Sequence, residues 1–183
     1  MNADRVVRIG CGAGFWGDSA EGPAQLVRAG QIDYLVMDYL AEITMSLLAR
    51  AKTKKPDTGY ATDFVDAVMK PLLPEIARQG IKVVSNAGGV NATACCAALM
   101  AAIRETGLDL KVAAVVGDDL LSRADALREA GVTEMDSGLA FPARPWSANA
   151  YLGATPIAAA LAAGADIVVT GRCVDSALAL GPL

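Results

Sequence analysis

The chain has 183 residues, 54% of them hydrophobic, and its 16 Lys and Arg against 20 Asp and Glu give a net charge of −4. This length is typical of one domain, and an acidic chain without a long basic run is a poor partner for nucleic acid. The longest apolar stretch, Ala92–Ile103, is too short to cross a bilayer and the N-terminus lacks the apolar core of a secretion signal, so we expect a cytoplasmic protein with no membrane partner.

Short β-branched segments alternate with Ala- and Leu-rich helical segments along the chain. This alternation predicts a doubly wound α/β domain, Rossmann-like or flavodoxin-like, with a mainly parallel five-stranded sheet and helices on both faces. The predicted strands are Val6–Gly10, Tyr34–Met37, Lys82–Ser85, Lys111–Val116 and Asp166–Thr170. The predicted helices are Pro23–Ala29, Ala41–Ala51, Ala61–Gln79, Ala92–Thr106, Leu120–Ala130 and Pro156–Ala163.

Glycine and proline refine these helix boundaries. Because Pro71 and Pro74 cannot donate to the helix ladder, we predict that the helix Ala61–Gln79 is bent or split near Met69. Five glycines follow helical segments and are predicted to be left-handed C-terminal caps. They are Gly30, Gly80, Gly107, Gly131 and Gly164.

Two segments, Lys52–Tyr60 and Met135–Ala150, fit no regular element. Long polar or proline-rich connections are typical of lids or partner-facing loops, and an ordinary surface loop is the alternative. A further helix is predicted to begin near Val174, where the last strand needs cover. We therefore expect residues 1–183 to be a single domain at the N-terminal end of a longer protein.

The chain contains no His, which excludes Ser-His-Asp and Cys-His catalysis and leaves acid–base chemistry to Asp, Glu, Lys, Tyr or Cys. The cysteines lack both a C-x-x-C pair and the spacing of a disulfide framework, so we expect buried, reduced thiols. No metal site is predicted and the sequence identifies no cofactor. The four cysteines are Cys11, Cys95, Cys96 and Cys173.

The loop after the first strand is rich in glycine. Its G-x-G-x-x-G pattern follows a strand, and Asp38 closes the next strand 21 residues after Gly17, which formally meets the dinucleotide fingerprint. Phe15 and Trp16 are bulky where a pyrophosphate would pass, so a turn for another ligand and purely structural glycines are alternatives. The residues of this loop assigned to substrate binding are Gly12, Gly14, Gly17, Asp18 and Ser19.

Loops that follow parallel strands emerge at one edge of the sheet, so further polar residues are expected to converge there. A helix cap is the alternative role for Asn91 and for one residue of the Asp118–Asp119 pair, and a local ion pair is the alternative for Asp175 with Arg172. The candidate catalytic residues are Asp38, Asp118 and Asp175. The other candidate substrate-binding residues are Asn86, Gly88, Gly89, Asn91 and Arg172.

Five segments together resemble the N-terminal domain of the acyclic terpene utilisation family, the AtuA-like proteins. These segments are IGCGAGFWGDS, DYLAEITMSLLARAK, KVVSNAGGVN, VVGDDL and the last 36 residues, ANAYLG through ALGPL. One departure is Ala92, where we expect proline in many members. The resemblance implies a cytoplasmic role in the catabolism of acyclic terpenes such as citronellol and geraniol through coenzyme A thioesters. It assigns no catalytic residues.

Three hypotheses follow from the residues and the resemblance. The first is hydration or lyase chemistry on a branched acyl-CoA or carboxylate, with an Asp as the acid–base group. The second is a nicotinamide- or flavin-dependent oxidoreductase that uses the glycine-rich loop. The third is a non-catalytic assembly domain, suggested by the apolar segment Phe141–Trp146. We expect a small-molecule substrate and a homo-oligomer.

Overall fold

The computed structural model describes residues 6–183, which build one five-stranded sheet flanked by helices. All neighbouring strands pair in parallel, and their order across the sheet is β1-β2-β3-β5-β4. The strands are β1 (Ile9–Ala13), β2 (Tyr34–Met37), β3 (Lys82–Ser85), β4 (Val112–Val115) and β5 (Ile167–Thr170). The doubly wound α/β prediction is confirmed, although this strand order matches neither the Rossmann nor the flavodoxin arrangement.

In the described part of the chain, seven α-helices connect and cover the strands. A π-helical turn, Phe64–Met69, leads into the third of them, and a 3₁₀ turn, Leu121–Arg123, leads into the fifth. None of the helices within residues 6–183 combines the length and the apolar character needed to cross a membrane. The helices are α1 (Glu21–Ala29), α2 (Glu42–Lys54), α3 (Lys70–Gln79), α4 (Ala92–Thr106), α5 (Ala124–Glu129), α6 (Thr155–Ala162) and α7 (Ala177–Leu180).

The order of the strands decides which face each helix covers. From β1 to β4 the chain advances across the sheet in one direction, and from β4 to β5 it turns back. Because such crossovers are right-handed, the first helices share one face and α6 lies on the other. Phe64 and Leu99 belong to the larger core on the first face, while Ile157 and Leu178 belong to the smaller core on the second.

Strand β1 begins three residues later than predicted and ends at Ala13 instead of Gly10. The Asp33 carboxylate accepts the Arg8 N–H at 2.7 Å, so this N–H is not available to a strand partner. The parallel ladder therefore starts with Ile9 opposite Tyr34. The five predicted glycine caps are confirmed, since their φ angles lie between +64° and +91°.

The proline-containing helix runs on through a π-helical turn instead of breaking. The Lys70 N–H donates to the Val65 carbonyl, five residues back, at the end of the π-helical turn. Ordinary α-helical geometry resumes at Lys70, next to the predicted site of the bend at Met69. The wide turn admits Pro71 and Pro74, which have no N–H to donate, without separating the two helical parts.

Three of the four cysteines are buried as expected, but Cys11 is exposed, so the expectation is wrong there. Side chains alternate along a strand, and Gly10 and Gly12 face α1. Cys11 therefore points to the opposite side of edge strand β1, which the short second-face helices leave open. Burial raises the pKa of Cys96 to about 11.

Candidate functional site

The loops that follow β2 to β5 meet at one edge of the sheet. The chain leaves β3 towards α4 on one face, and it leaves the neighbouring β5 towards α7 on the other. Adjacent strands whose connections depart to opposite faces form a crevice at their carboxyl ends, which is where open α/β sheets bind ligands. The geometry thus points to the crevice between β3 and β5.

Asn86 follows β3 and is completely buried. Its side-chain Nδ2 donates to Asp38 Oδ1 at 2.6 Å, and its Oδ1 accepts the Tyr39 N–H at 2.7 Å. These bonds tie the loop after β2 to the loop after β3. The structure therefore brings Asp38 and Asn86 together, and it uses the Asn86 amide to hold the two loops.

Gly88, Gly89 and Asn91 form a packed turn after β3. A Cβ atom on Gly88 would lie 2.5 Å from the Thr170 carbonyl oxygen, and Gly89 has a φ of +55°. Asn91 precedes α4 but makes no side-chain cap; its Nδ2 donates instead to the Thr58 carbonyl at 2.7 Å. The long loop after α2 is thereby fastened to this turn, so these residues hold the loop instead of lining an open cleft.

In the glycine-rich first loop, a carboxylate takes the place that the dinucleotide fingerprint gives to a phosphate. Asp18 accepts the Gly14 N–H at 3.0 Å and the Ser19 N–H at 2.7 Å. These two bonds hold the pKa of Asp18 below its usual value. A bound pyrophosphate would meet this negative charge, which disfavours a nicotinamide or flavin nucleotide here.

The glycines of the first loop have different roles. A Cβ on Gly12 would lie 3.1 Å from Pro23 of α1, so Gly12 allows close packing of strand on helix, whereas Gly17 has a φ of +98° in open space. Helix α1 begins only at Glu21, four residues beyond Gly17. The fingerprint needs the helix to start within the glycine motif, so the oxidoreductase hypothesis gains no support from this loop.

Asp118 follows β4 and is 5% exposed. Its Oδ2 accepts the backbone N–H of Arg172 at 2.8 Å and the side-chain Nδ2 of Asn149 at 2.9 Å. A Cβ on Gly171 would lie 2.4 Å from the Asp118 carboxylate, so only glycine fits there. Asp118 therefore positions the loop after β5 and the segment around Asn149. The predicted cap is provided by its neighbour Asp119, whose Oδ1 accepts an N–H at 2.9 Å in the 3₁₀ turn that leads into α5.

Arg172 provides a buried cation in the crevice, with a side chain only 6% exposed. Its Nη1 donates to the Leu40 carbonyl at 3.0 Å and to Asp175 at 3.2 Å. Its Nη2 lies 3.8 Å from Glu42, and its guanidinium carbon lies 4.3 Å from the centre of the Tyr151 ring. The predicted Arg172–Asp175 pair thus exists, together with two partners that the sequence did not reveal.

Glu42 and Tyr151 form a hydrogen-bonded pair in front of Arg172. The Tyr151 hydroxyl donates to Glu42 Oε1 at 2.5 Å. This bond, an N–H at the start of α2 and the nearby Arg172 charge hold the pKa of Glu42 below its usual value. A carboxylate, a phenol and a guanidinium thus meet in one place, and together they can accept a proton, donate a proton and stabilise an oxyanion.

These groups line a cleft of about 220 Å³ between α2 and the segment before α6. Only Arg172 among the predicted site residues lines it, while Asp175 and Asp118 hold Arg172 in place. In the sequence, Glu42 is indistinguishable from an ordinary acidic residue in the first turn of a helix, and Tyr151 lies in a segment without periodic pattern. We call this cleft the Arg172 cleft; it is lined by Glu42, Met45, Ser46, Ser147, Asn149, Tyr151 and Arg172.

Within residues 6–183, no group of three or more Cys, Asp or Glu side chains could hold a metal ion.

The chain matches a protein-family model described as acyclic terpene utilisation family protein AtuA over residues 7–183. No curated protein and no solved structure matches the chain significantly.

Proposed function

The chain belongs to the acyclic terpene utilisation family, AtuA, and from this premise we propose that the Arg172 cleft binds the acyl thioester of a branched acid. Family membership supports a role in acyclic terpene utilisation. The observation that carries the proposal is the buried Arg172 beside the hydrogen-bonded Glu42–Tyr151 pair. We further propose that the reaction is the hydration of an α,β-unsaturated thioester, or its reverse.

The charges around Arg172 favour a thioester over a free carboxylate. Arg172 already has two acidic neighbours, Asp175 at 3.2 Å and Glu42 at 3.8 Å, so the local net charge is negative. A ligand with a free carboxylate would be repelled by these two groups, whereas a neutral carbonyl oxygen can accept a hydrogen bond from Nη2 without that cost. The ligand is therefore one whose acid group is esterified.

Glu42, Tyr151 and Arg172 together supply the groups needed to add water to the double bond. Glu42 takes a proton from water, the water oxygen bonds to Cβ, and the electrons of the Cα=Cβ bond move onto the thioester carbonyl. Arg172 stabilises the resulting enolate oxygen. Tyr151 then donates its proton to Cα, and the proton on Glu42 returns to the phenolate along their hydrogen bond. The net change is the addition of one water molecule.

Turnover of a branched enoyl thioester, followed by loss of the conjugated absorbance, tests this function. We expect Glu42→Gln and Tyr151→Phe each to lower kcat by about 10²–10⁴-fold, the usual contribution of a positioned acid or base. Glu129→Gln on exposed α5 and Tyr34→Phe at the opposite edge of the sheet are matched controls that keep wild-type rates. Full activity in both cleft variants would overturn the proposal.

A further inference from the structure

A second cleft of about 440 Å³ adjoins the Arg172 cleft along α2. The two clefts share one lining residue, Ser46. Together they lie within the size range of small-molecule sites, whereas the Arg172 cleft alone is small for a ligand with a long arm. We call the second cleft the outer cleft; it is lined by Ser46, Leu47, Arg50 and Trp146.

The outer cleft combines apolar walls with one cation. Leu47 and Trp146 both line the cleft and are 53% and 67% exposed, so together they offer an apolar surface to a ligand. Within residues 6–183, Arg50 forms no salt bridge, in contrast to Arg172 with its two acidic neighbours. The surface is therefore complementary to an apolar segment that ends in an anion.

We propose that the outer cleft binds the anionic arm of the same thioester ligand, with Arg50 as the counter-ion of its terminal charge. Leu47 and Trp146 pack against the apolar part of this arm. This inference rests on the proposed function of the Arg172 cleft. It adds that a negative charge remote from the reacting carbonyl determines which thioesters bind well.

The helix sets the length of this arm. Glu42 and Arg50 are eight residues apart on α2, which corresponds to about 12 Å along the helix axis at 1.5 Å per residue. An extended chain advances about 3.5 Å per three bonds, so an arm of roughly ten bonds is the shortest that can join the carbonyl to the anion. Two sources have this chemistry, namely the phosphates of a coenzyme A carrier and a carboxylate at the far end of the acyl chain.

Calorimetric titration of the full chain with four saturated branched thioesters separates these sources. One pair shares the acyl group and differs in the carrier, coenzyme A against pantetheine without the nucleotide phosphates. The other pair shares the pantetheine carrier and differs by a carboxylate at the chain end. Each is titrated against wild type, Arg50→Met and Arg172→Met, with Arg104→Met in the last turn of α4 as the charge-matched control.

We expect Arg50→Met to weaken binding of the thioesters with the remote anion by about tenfold, as expected for a lost charge-assisted hydrogen bond in a partly exposed cleft. Binding of the matching uncharged thioesters and the behaviour of Arg104→Met stay at the wild-type level. A loss confined to the coenzyme A pair identifies the carrier phosphates as the anion. A loss confined to the other pair identifies the acyl carboxylate.

Equal binding by wild type and Arg50→Met for all four ligands overturns the inference. If Arg172→Met still weakens binding in that case, the function proposed for the Arg172 cleft stands without an anion subsite. If Arg172→Met binds every thioester like wild type, the proposed function itself is wrong. If no thioester binds the wild-type protein, both proposals fall together.

Discussion

Asp118 illustrates how a buried side chain fixes the geometry of a cleft that it does not line. Its Oδ2 accepts two N–H groups, from Arg172 and from Asn149. Asp118→Asn removes the charge. In one of the two amide orientations, the side-chain NH₂ group takes the position of Oδ2 and faces two other N–H donors. We expect a loss of about 1–3 kcal/mol of unfolding free energy, measured by urea unfolding.

Asp109→Asn is the matched control for this variant, because Asp109 is exposed in the loop between α4 and β4, at the opposite end of the strands from the cleft loops. It should stay within experimental error of wild type. An Asp118→Asn protein with wild-type stability would show that the two hydrogen bonds do not hold these loops.

The Glu42–Tyr151 pair predicts a measurable change in one pKa. The Tyr151 hydroxyl makes the largest contribution to the lowered pKa of Glu42, so Tyr151→Phe should return that pKa towards its usual value. Carbon-detected NMR of the glutamate carboxyl groups measures this directly, and Tyr34→Phe should leave the Glu42 titration unchanged. An unaltered pKa in Tyr151→Phe would contradict the pairing.

The same pair has a defined pH dependence. Because the pKa of Glu42 is lower in the folded protein than in the unfolded chain, its stabilising contribution is fully present above the unfolded pKa. It is lost as the pH falls through the folded pKa. Urea unfolding at a series of acidic pH values should therefore show a loss of stability in wild type that is smaller in Tyr151→Phe, whose Glu42 lacks the hydrogen bond.

The sequence alone predicted some residues of the candidate site and did not predict others. Asn86, Asp118 and Arg172 each follow a strand, so the parallel arrangement alone brought them to one edge. Tyr151 and Asn149 lie in an irregular segment whose path no periodicity describes. Their contacts with α2 and with the loop after β4 depend on tertiary packing, which local pattern cannot supply.

At the level of single elements, the contact between α1 and β1 depends on glycine in the helix. A Cβ on Gly22 would lie 2.6 Å from the Gly12 carbonyl oxygen, a backbone atom that cannot move aside cheaply. Gly22→Ala should therefore separate helix from strand and cost about 1–3 kcal/mol of unfolding free energy.

Gly14→Ala is the matched control for this element. Nothing lies within 4 Å of a Cβ built on Gly14, and its φ does not require glycine. Chemical unfolding of the two variants side by side tests the assignment. Equal stabilities would show that the close packing of α1 on β1 does not require glycine at position 22.

Element boundaries were largely predictable, and strand order was not. β2, β3 and α4 match their predicted bounds, because apolar runs and glycine caps are local signals. The late start of β1 depends on the contact of Arg8 with Asp33, 25 residues away. The position of β5 between β3 and β4 is equally non-local. Parallel strands buried on both faces all have similar apolar sequences, so the sequence does not show which strands are neighbours.

For the molecule as a whole, the two faces of the sheet are covered unequally. The first face carries α1, α3 and the 15-residue α4. The second carries α6 and α7, which have eight and four residues. Regions held by fewer apolar contacts open at lower free-energy cost, so the second face should open first.

The buried cysteines can report this difference, because they lie in different cores. Cys95 and Cys96 belong to the core of the first face and Cys173 to that of the second. Burial raises the pKa of all three thiols, so each reacts only after local or global opening. In a thiol-labelling time course followed by mass spectrometry, exposed Cys11 should react at once, then Cys173, and last Cys95 and Cys96. Equal rates for the three buried thiols would mean that both faces unfold as a single cooperative unit, so that the thin second layer is as firmly held as the thick one.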